Sequence, residues 1–312
     1  MNIIIMGAAG FIGTNLAMTL ANDQDNQITL VDRKRDYFQA IEKKNYPNVK
    51  ILESDFSVED DYDQMLKNQD IVYHLVSTTI PTNSNQHILD EVNENISFSS
   101  ALLEACVHQN VKKVVFLSSG GTIYGKEAKC PLDEKTPTYP ITTYGIQKLT
   151  IEKLIYLYRY LYNLDYRIIR LANPYGPYQR PNGVLGVITT FVYKALSGED
   201  ILVYGDGSVV RDFIYIDDAV KGILNIVNGT NRHRTFNLGS GYGTSVKQVV
   251  DAIGETLDIN LSIKYMEARK VDVPVNYLDI KRYEDAYGKL NPISLNEGIK
   301  KTAEFMKDYY NL

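Results

Sequence analysis

The sequence predicts an α/β fold: a doubly wound parallel sheet followed by a smaller α/β lobe. Three features predict it. Short β-branched apolar runs alternate with longer amphipathic stretches through the first half, the pattern of strands joined by crossover helices. The runs are nearly continuous rather than alternating, as suits parallel strands covered on both faces. A glycine-spaced turn, Gly7 to Gly13, joins the first run to the first helical stretch.

Strands are expected at 2–6, 27–32, 49–52, 70–76, 111–119 and 166–172, with helices notably over 88–109 and 143–163. After "NPYGP" (173–177) Gly and Pro cluster and the elements shorten. One domain is therefore expected over 1–173, joined by about 210–232, because "FIYIDDAVKGILNIV" (213–227) reads as a strand and helix returning to the first lobe. A second domain is expected over 174–209 and 233–312.

The chain has 312 residues, 44% hydrophobic and 23% charged, which is ordinary for a soluble globular protein. A net charge of −5 lacks the basic footprint of a nucleic-acid binder. The clusters Arg33-Lys34-Arg35 and Arg232-His233-Arg234 are short and read as solvated faces. Cys106 and Cys130 lack metal-ligand spacing and read as free thiols in a reducing compartment, with no metal expected. No apolar run is long enough to span a membrane, since "LIYLYRYLYNL" is broken by Arg159 and Asn163. The first strand follows no basic segment of a signal peptide, so the expected location is cytoplasmic.

The glycines at 7, 10 and 13 fit a Rossmann-type dinucleotide turn. Gly7 makes the tight turn, Gly10 lets the backbone approach a pyrophosphate, and Gly13 lets helix pack on strand. The phosphates would sit at the helix N-terminus, around Phe11 and Ile12, where free amides and the dipole favour anions. Asp32 ends the second strand about 20 residues on, where a carboxylate accepts from the ribose hydroxyls and repels a 2′-phosphate. That points to NAD. Arg33 beside it could instead pair with the extra phosphate of NADP. Asp55 and Phe56 follow the third strand, where the adenine would be held.

"YPITTYGIQKLTIEKL" opens a helix and places Tyr144 and Lys148 four apart, on one face. A phenol titrates near ~10 and is a poor base at neutral pH. An ammonium beside it and the positive charge of an oxidised nicotinamide favour the phenolate. Tyr144 could then take a proton from a sugar hydroxyl while hydride leaves. Tyr156, Tyr158, Tyr160 and Tyr162, later on this helix, read as packing or subunit-contact residues.

Gly7-x-x-Gly10-x-x-Gly13, Asp32, "HLVS" (74–77), Asn95, "SSGGTIYG" (118–125), Tyr144-x-x-x-Lys148, "NPYGP" and "RDFIYIDD" (211–218) occur in that order. As an ordered set over nearly the whole chain they resemble the extended short-chain dehydrogenase/reductases, specifically the NAD-dependent epimerase/dehydratase family. The resemblance implies a Rossmann-type doubly wound parallel sheet with a smaller α/β C-terminal substrate-binding lobe. It also implies a bound NAD, a UDP-sugar substrate and a homodimer formed through the helices at 88–109 and 143–163. By position, Leu75, Val76, Ser77, Asn95, Ser118 and Pro174 would line the cofactor with Tyr144 and Lys148. Asn173 would meet the sugar-nucleotide, and Val203 and Tyr204 would hold the base. Arg211 and Arg269 would grip the diphosphate, and Asp272 would contact the nucleoside side.

Dehydratases of this family resemble one another in an Asp-Glu pair just before the Tyr-Gly of the strand-end motif. Gly121 and Thr122 stand there instead, so elimination lacks its acid–base pair. The resemblance is greatest to UDP-glucose 4-epimerases, which oxidise C4, turn the ketone over and return the hydride. Asn276, four after Asp272, falls where a bulky tyrosine restricts the C2 substituent in some epimerases; asparagine leaves room for an N-acetyl group. A nucleotide-sugar 4-keto reductase using NADPH and a non-catalytic dinucleotide-binding scaffold are the rival readings. Relatives also carry a Ser or Thr four residues before the motif tyrosine, to bond the reacting hydroxyl. Gly120 stands there, four before Tyr124. Alternation along an extended segment favours Thr122 as its substitute, with Ser119 contributing if the backbone turns at the glycines.

Overall fold

The structure is a computed structural model that describes residues 1–78, 85, 88–181, 186–268 and 273–312. In chain order the elements are β1 (Asn2–Met6), α1 (Phe11–Ala21), β2 (Gln27–Asp32), α2 (Gln39–Glu42), β3 (Val49–Glu53), α3 (Tyr62–Leu66), β4 (Ile71–His74), α4 (Ile88–His108), β5 (Lys113–Ser119), α5 (Thr143–Tyr162), β6 (Tyr166–Leu171), β7 (Asn173–Tyr175), α6 (Val187–Leu196), β8 (Ile201–Tyr204), β9 (Val210–Arg211), β10 (Phe213–Tyr215), α7 (Ile216–Asn228), β11 (Thr235–Leu238), β12 (Thr244–Ser245), α8 (Val246–Leu257), β13 (Ile263–Met266), β14 (Val275–Asn276), α9 (Lys281–Tyr287) and α10 (Leu295–Tyr310). The chain divides into two units. The first is Met1–Ser119, Thr142–Ile169 and Thr230–Thr235, and the second is Gly120–Ile141, Arg170–Gly229 and Phe236–Leu312. Among the described residues no helix is long and apolar enough to cross a membrane.

A seven-stranded sheet has the order β11-β6-β5-β4-β1-β2-β3. Its pairings of β1 with β2 and β4, β2 with β3, and β4 with β5 are parallel. The strand order reverses between β1 and β4, and ligands of such sheets bind outside the carboxyl ends at that point. The apolar runs form strands because both faces are covered. Ile4, Met6, Val31, Val72, Val114 and Phe116 pack with Phe98 and Leu102 of α4 and Ile151 and Ile155 of α5. Each such side chain, fully buried, contributes roughly 1.5–3 kcal/mol.

The edges of the predicted strands shift for local reasons. β4 stops at His74 rather than 76, because the chain then crosses over Gly7. The strand β11, absent from the sequence reading, adds to the sheet beyond β6. The segment at 213–227 does form a strand and a helix, β10 and α7, and these group with the second unit.

In the second unit β10 pairs with β7, β8 with β13, and β9 with both β12 and β14. Helix α8 opens with a capping box, Ser245 and Gln248 each bonding the other's backbone amide. Asp212, between β9 and β10, is fully buried. Its carboxylate accepts from the Ser240 amide and hydroxyl, both at 2.7 Å, and from the Leu278 and Gly241 amides at 3.2 and 3.3 Å. Burial raises its pKa, and these donors oppose the shift. Tyr124 is held equally firmly: its hydroxyl donates to Asn237 Oδ1 at 2.6 Å and accepts from Arg170 at 3.1 Å.

Candidate active site

The turn after β1 is built by its three glycines. Gly7 has a φ of +84°, and a Cβ there would lie 3.1 Å from the Val76 amide nitrogen and 3.2 Å from the Leu75 carbonyl carbon. A left-handed residue so close to another backbone has to be glycine. Gly13 is buried within α1, where a Cβ would fall 2.6 Å from the Gly7 oxygen and 2.7 Å from Ala8 atoms. Gly10 caps α1 without a side-chain bond, and a Cβ there would meet only the Gly7 oxygen, at 3.3 Å. The space over Gly10 is thus open in front of the first amides of α1, which lack intrahelical acceptors. A cradle that side chains would fill, facing a helix N-terminus, fits a pyrophosphate.

Asp32 braces this turn: Oδ2 accepts from the Ala9 amide at 2.9 Å and Oδ1 from the Arg33 amide at 2.8 Å. Arg33 and Asp55 are exposed. Phe56 is buried at a φ of 59° and packs against Phe98 with ring centres 5.4 Å apart and planes tilted by 56°. Past β4, Leu75 bonds the Met6 carbonyl at 3.0 Å, Val76 is buried, and Ser77 is partly exposed. Asn95, buried on α4, fixes the end of this loop by accepting from the Thr78 amide at 3.0 Å and donating to its hydroxyl at 2.7 Å.

A network that sequence reasoning missed lies behind it. Ser99 spends its proton on the Asn95 carbonyl at 2.6 Å, so the 2.8 Å contact to His74 is a bond donated by Nε2–H. His74 is a neutral imidazole, its Nδ1 buried with no partner among the described residues. Burial, and secondly the charge of Lys148, push its pKa down to about 3. In the sequence His74 stood inside an apolar strand as the first residue of "HLVS", with no role of its own assigned.

Helix α5 begins where Thr142 accepts from the Gly145 amide at 3.1 Å, a hydroxyl cap of the usual kind. The cap sets Tyr144 in the first turn, beside the end of β5. Ser119 hydrogen-bonds the Tyr144 hydroxyl and favours its ionised form, but burial dominates and pushes the phenol up to about 12. The lowering expected from Lys148 is absent in the protein alone, where Ser119 is the group that favours the phenolate and burial outweighs it. Lys148 is buried one turn on, its Nζ donating to the Leu117 carbonyl at 2.9 Å and standing 5.7 Å from the Tyr144 ring centre. Burial lowers its pKa to about 8, against the opposing charge of Glu152. Ser118, expected at the cofactor, is buried and donates to Glu152 at 2.6 Å.

The strand ends at Ser119, and Gly120–Thr122 form a turn. Alternation along an extended segment therefore does not reach Thr122. Gly120 carries no side chain because Leu278 occupies the space: a Cβ would lie 2.6 Å from Leu278 Cδ1 and 3.1 Å from the Arg170 carbonyl. Thr122 Oγ1 is buried with no hydrogen-bond partner among the described residues.

The predicted sugar-nucleotide residues lie in the second unit, apart from Arg269 and Asp272, which fall outside the described residues. Asn173 Nδ2 donates to the Asp212 carbonyl at 2.9 Å, and Pro174 pairs with Ile214 across β7 and β10. Val203 is buried, while Tyr204 is exposed. Arg211 spends part of its donor fork on the Val210 and Val273 carbonyls, at 2.9 and 2.6 Å. Asn276 sits opposite Arg211 in the β14–β9 pair, is buried, and its Nδ2 has no partner among the described residues. An orphaned buried donor costs about 1–3 kcal/mol.

Comparison with known proteins shows the family and the fold. A Mycolicibacterium smegmatis protein named UDP-glucose 4-epimerase is 30% identical over 311 residues, covering 99% of each chain. The crystal structure of UDP-glucose 4-epimerase from Thermotoga maritima with UDP-glucose superposes with a TM-score of 0.90 at 32% identity, covering 99% of this chain and 100% of that one. A UDP-N-acetylglucosamine 4-epimerase from Methanobrevibacter ruminantium, in complex with UDP-N-acetylmuramic acid, gives a TM-score of 0.90 at 28% identity, covering 99% of this chain and 98% of that one. The sequence model described as NAD dependent epimerase/dehydratase family matches residues 3–239, and with a glycine turn, a braced acid after β2 and a Tyr-Lys helix in place, the chain belongs to that family.

Proposed function

We propose that this protein is an NAD-dependent 4-epimerase of UDP-hexoses, acting on UDP-glucose and UDP-galactose and on their N-acetylhexosamine forms. The observation that carries the reading is the Tyr144 hydroxyl held by Ser119, with a buried ammonium one turn below. The first unit would hold NAD, its phosphates over Gly10 and its adenosine ribose on Asp32; the second would hold the UDP-sugar through Arg211 and its neighbours. Bound NAD would supply the hydride acceptor for C4 and would be regenerated within each turnover, so no cofactor would be consumed. Tyr144 takes the proton of the C4 hydroxyl as the ketone forms and returns it to the new hydroxyl. Lys148 stabilises the phenolate, and Ser119 orients the reacting oxygen.

The test is incubation of purified protein with UDP-galactose. An epimerase forms UDP-glucose without net change in nicotinamide absorbance. A reductase would need added reduced cofactor and a keto-sugar, and a scaffold would do nothing. Ser119→Ala is expected to lower kcat by about ten- to a hundredfold, the effect of losing a hydrogen bond to a charged oxygen. Thr122→Val, assayed alongside, is expected to change it less. A larger loss in Thr122→Val would return the role to Thr122.

The buried, orphaned Asn276 amide supports acceptance of a C2 acetamido group. Asn276→Tyr is expected to abolish turnover of UDP-N-acetylhexosamines while sparing UDP-glucose; equal kinetics of the two proteins on acetamido sugars would contradict this. A homodimer is part of the reading. Tyr156, Leu157, Tyr160 and Leu161 are exposed at i, i+4 spacing on α5, and such patches mark association surfaces.

A further inference from the structure

The strand end and the helix meet in three successive contacts. Ser119 bonds Tyr144, the Leu117 carbonyl accepts from Lys148 at 2.9 Å, and Ser118 donates to Glu152 at 2.6 Å. Tyr144, Lys148 and Glu152 succeed one another at four-residue spacing, so they share one face of α5. Lys148 and Glu152 are both 4% exposed and Ser118 is 5% exposed. Water therefore solvates neither charge. A buried ammonium with a single carbonyl acceptor is costly unless an opposite charge stands near it.

The groups around Lys148 leave little choice of counter-charge. From β5 come the Phe116 ring, 4.8 Å from Nζ, and the Leu117 carbonyl. From β4 comes His74, which is neutral. On α5 itself stand the Tyr144 phenol, un-ionised in the protein alone, and Glu152. Helix α4 packs against α5 and carries the buried Glu91 and a Glu104 that accepts from the Tyr158 hydroxyl, but Glu152 is the carboxylate one turn from Lys148 on the same face of α5. We propose that Glu152 is a positioning residue of the proton-transfer site, the buried counter-charge that keeps Lys148 an ammonium and, through Ser118, anchors the strand end carrying Ser119. This rests on the reading of Tyr144 and Lys148 as the proton-transfer pair.

Glu152 acts on the reaction only through Lys148. The ammonium stabilises the Tyr144 phenolate, and turnover falls as pH rises through the lysine's titration. Removing the carboxylate's charge moves that titration down. The Glu152 carboxylate raises the lysine's titration, so its removal should displace that titration downward by about one unit, the smaller end of the effect of a neighbouring opposite charge.

The experiment compares wild type with Glu152→Gln, which removes the charge and keeps an oxygen facing Ser118. Lys148 is titrated directly by NMR on protein containing carbon-13 lysine, its signal assigned by its loss in Lys148→Arg. Wild type should titrate near the value of about 8, and Glu152→Gln about one unit lower. The basic limb of kcat should move by the same amount, and Glu152→Asp, which keeps the charge, should restore it towards wild type. Should Glu152→Gln not fold, Ser118→Ala with Glu152→Leu removes both hydrogen-bond partners together and carries the same expectation. An unshifted Lys148 titration in the folded variant overturns the proposal, even if kcat falls. Wild-type protein inert towards UDP-sugars would overturn the epimerase reading instead, leaving the NMR titration to decide the role of Glu152.

Discussion

Tyr144→Phe is expected to lower kcat by roughly 10²–10⁴-fold, the usual contribution of a positioned general acid–base group. KM should change little, because the phenol acts on a proton that moves only in the transition state. Burial holds the free phenol up at about 12. Ionisation therefore has to be driven by charges assembled around it: the Lys148 ammonium one turn away, the Ser119 donor, and the pyridinium that arrives with NAD. The variant keeps the ring and loses one oxygen, so its melting temperature and bound cofactor should match wild type. Measuring kcat with an intact NAD complement checks this. Turnover near the wild-type rate would move the proton acceptor elsewhere.

Gly13→Val is expected to have the largest effect on folding, and Gly10→Ala the largest effect on the cofactor without unfolding. At Gly13 a Cβ would lie within 2.7 Å of three backbone atoms of Gly7 and Ala8, and backbone cannot swing aside as a flexible side chain can. Overpacking of that kind costs about 1–3 kcal/mol at ordinary sites and more where the neighbour is rigid. At Gly10 the nearest atom would be 3.3 Å away, so folding tolerates a methyl group. The methyl group would fill the space assigned to the pyrophosphate. Thermal melts paired with measurement of co-purifying NAD separate the two: Gly13→Val should melt lower, and Gly10→Ala should melt normally but carry little NAD. Full NAD occupancy in Gly10→Ala would remove the phosphates from that cradle.

The parts of the fold written in short windows were legible in the sequence. The turn from β1 to α1 is specified by three glycines, each with its own steric reason, and Asp32 lies within the same unit of chain. Tyr144 and Lys148 are a helical pair, visible as a spacing. What escaped depends on contacts far apart in sequence. Gly120 reads locally as a loop residue, yet Leu278 excludes a side chain there. The role assigned to Thr122 assumed a strand that stops at Ser119. Glu152 did carry a local signal, since a glutamate four residues past Lys148 continues the same face. Its burial against Ser118 became visible only once β5 and α5 were packed. Asn276 was located by position in a motif, but its burial opposite Arg211 arises from pairing of β14 with β9.

The central claim is that hydride leaves and returns to the same sugar carbon within one bound complex, with Tyr144 carrying the proton. UDP-glucose deuterated at C4, incubated in ordinary water and followed by NMR, tests it most directly. The account predicts UDP-galactose that keeps its deuterium at C4, with no deuterium released to solvent and no requirement for added cofactor. Formation of UDP-galactose with hydrogen from solvent at C4, or no UDP-galactose at all from NAD-loaded protein, would contradict it.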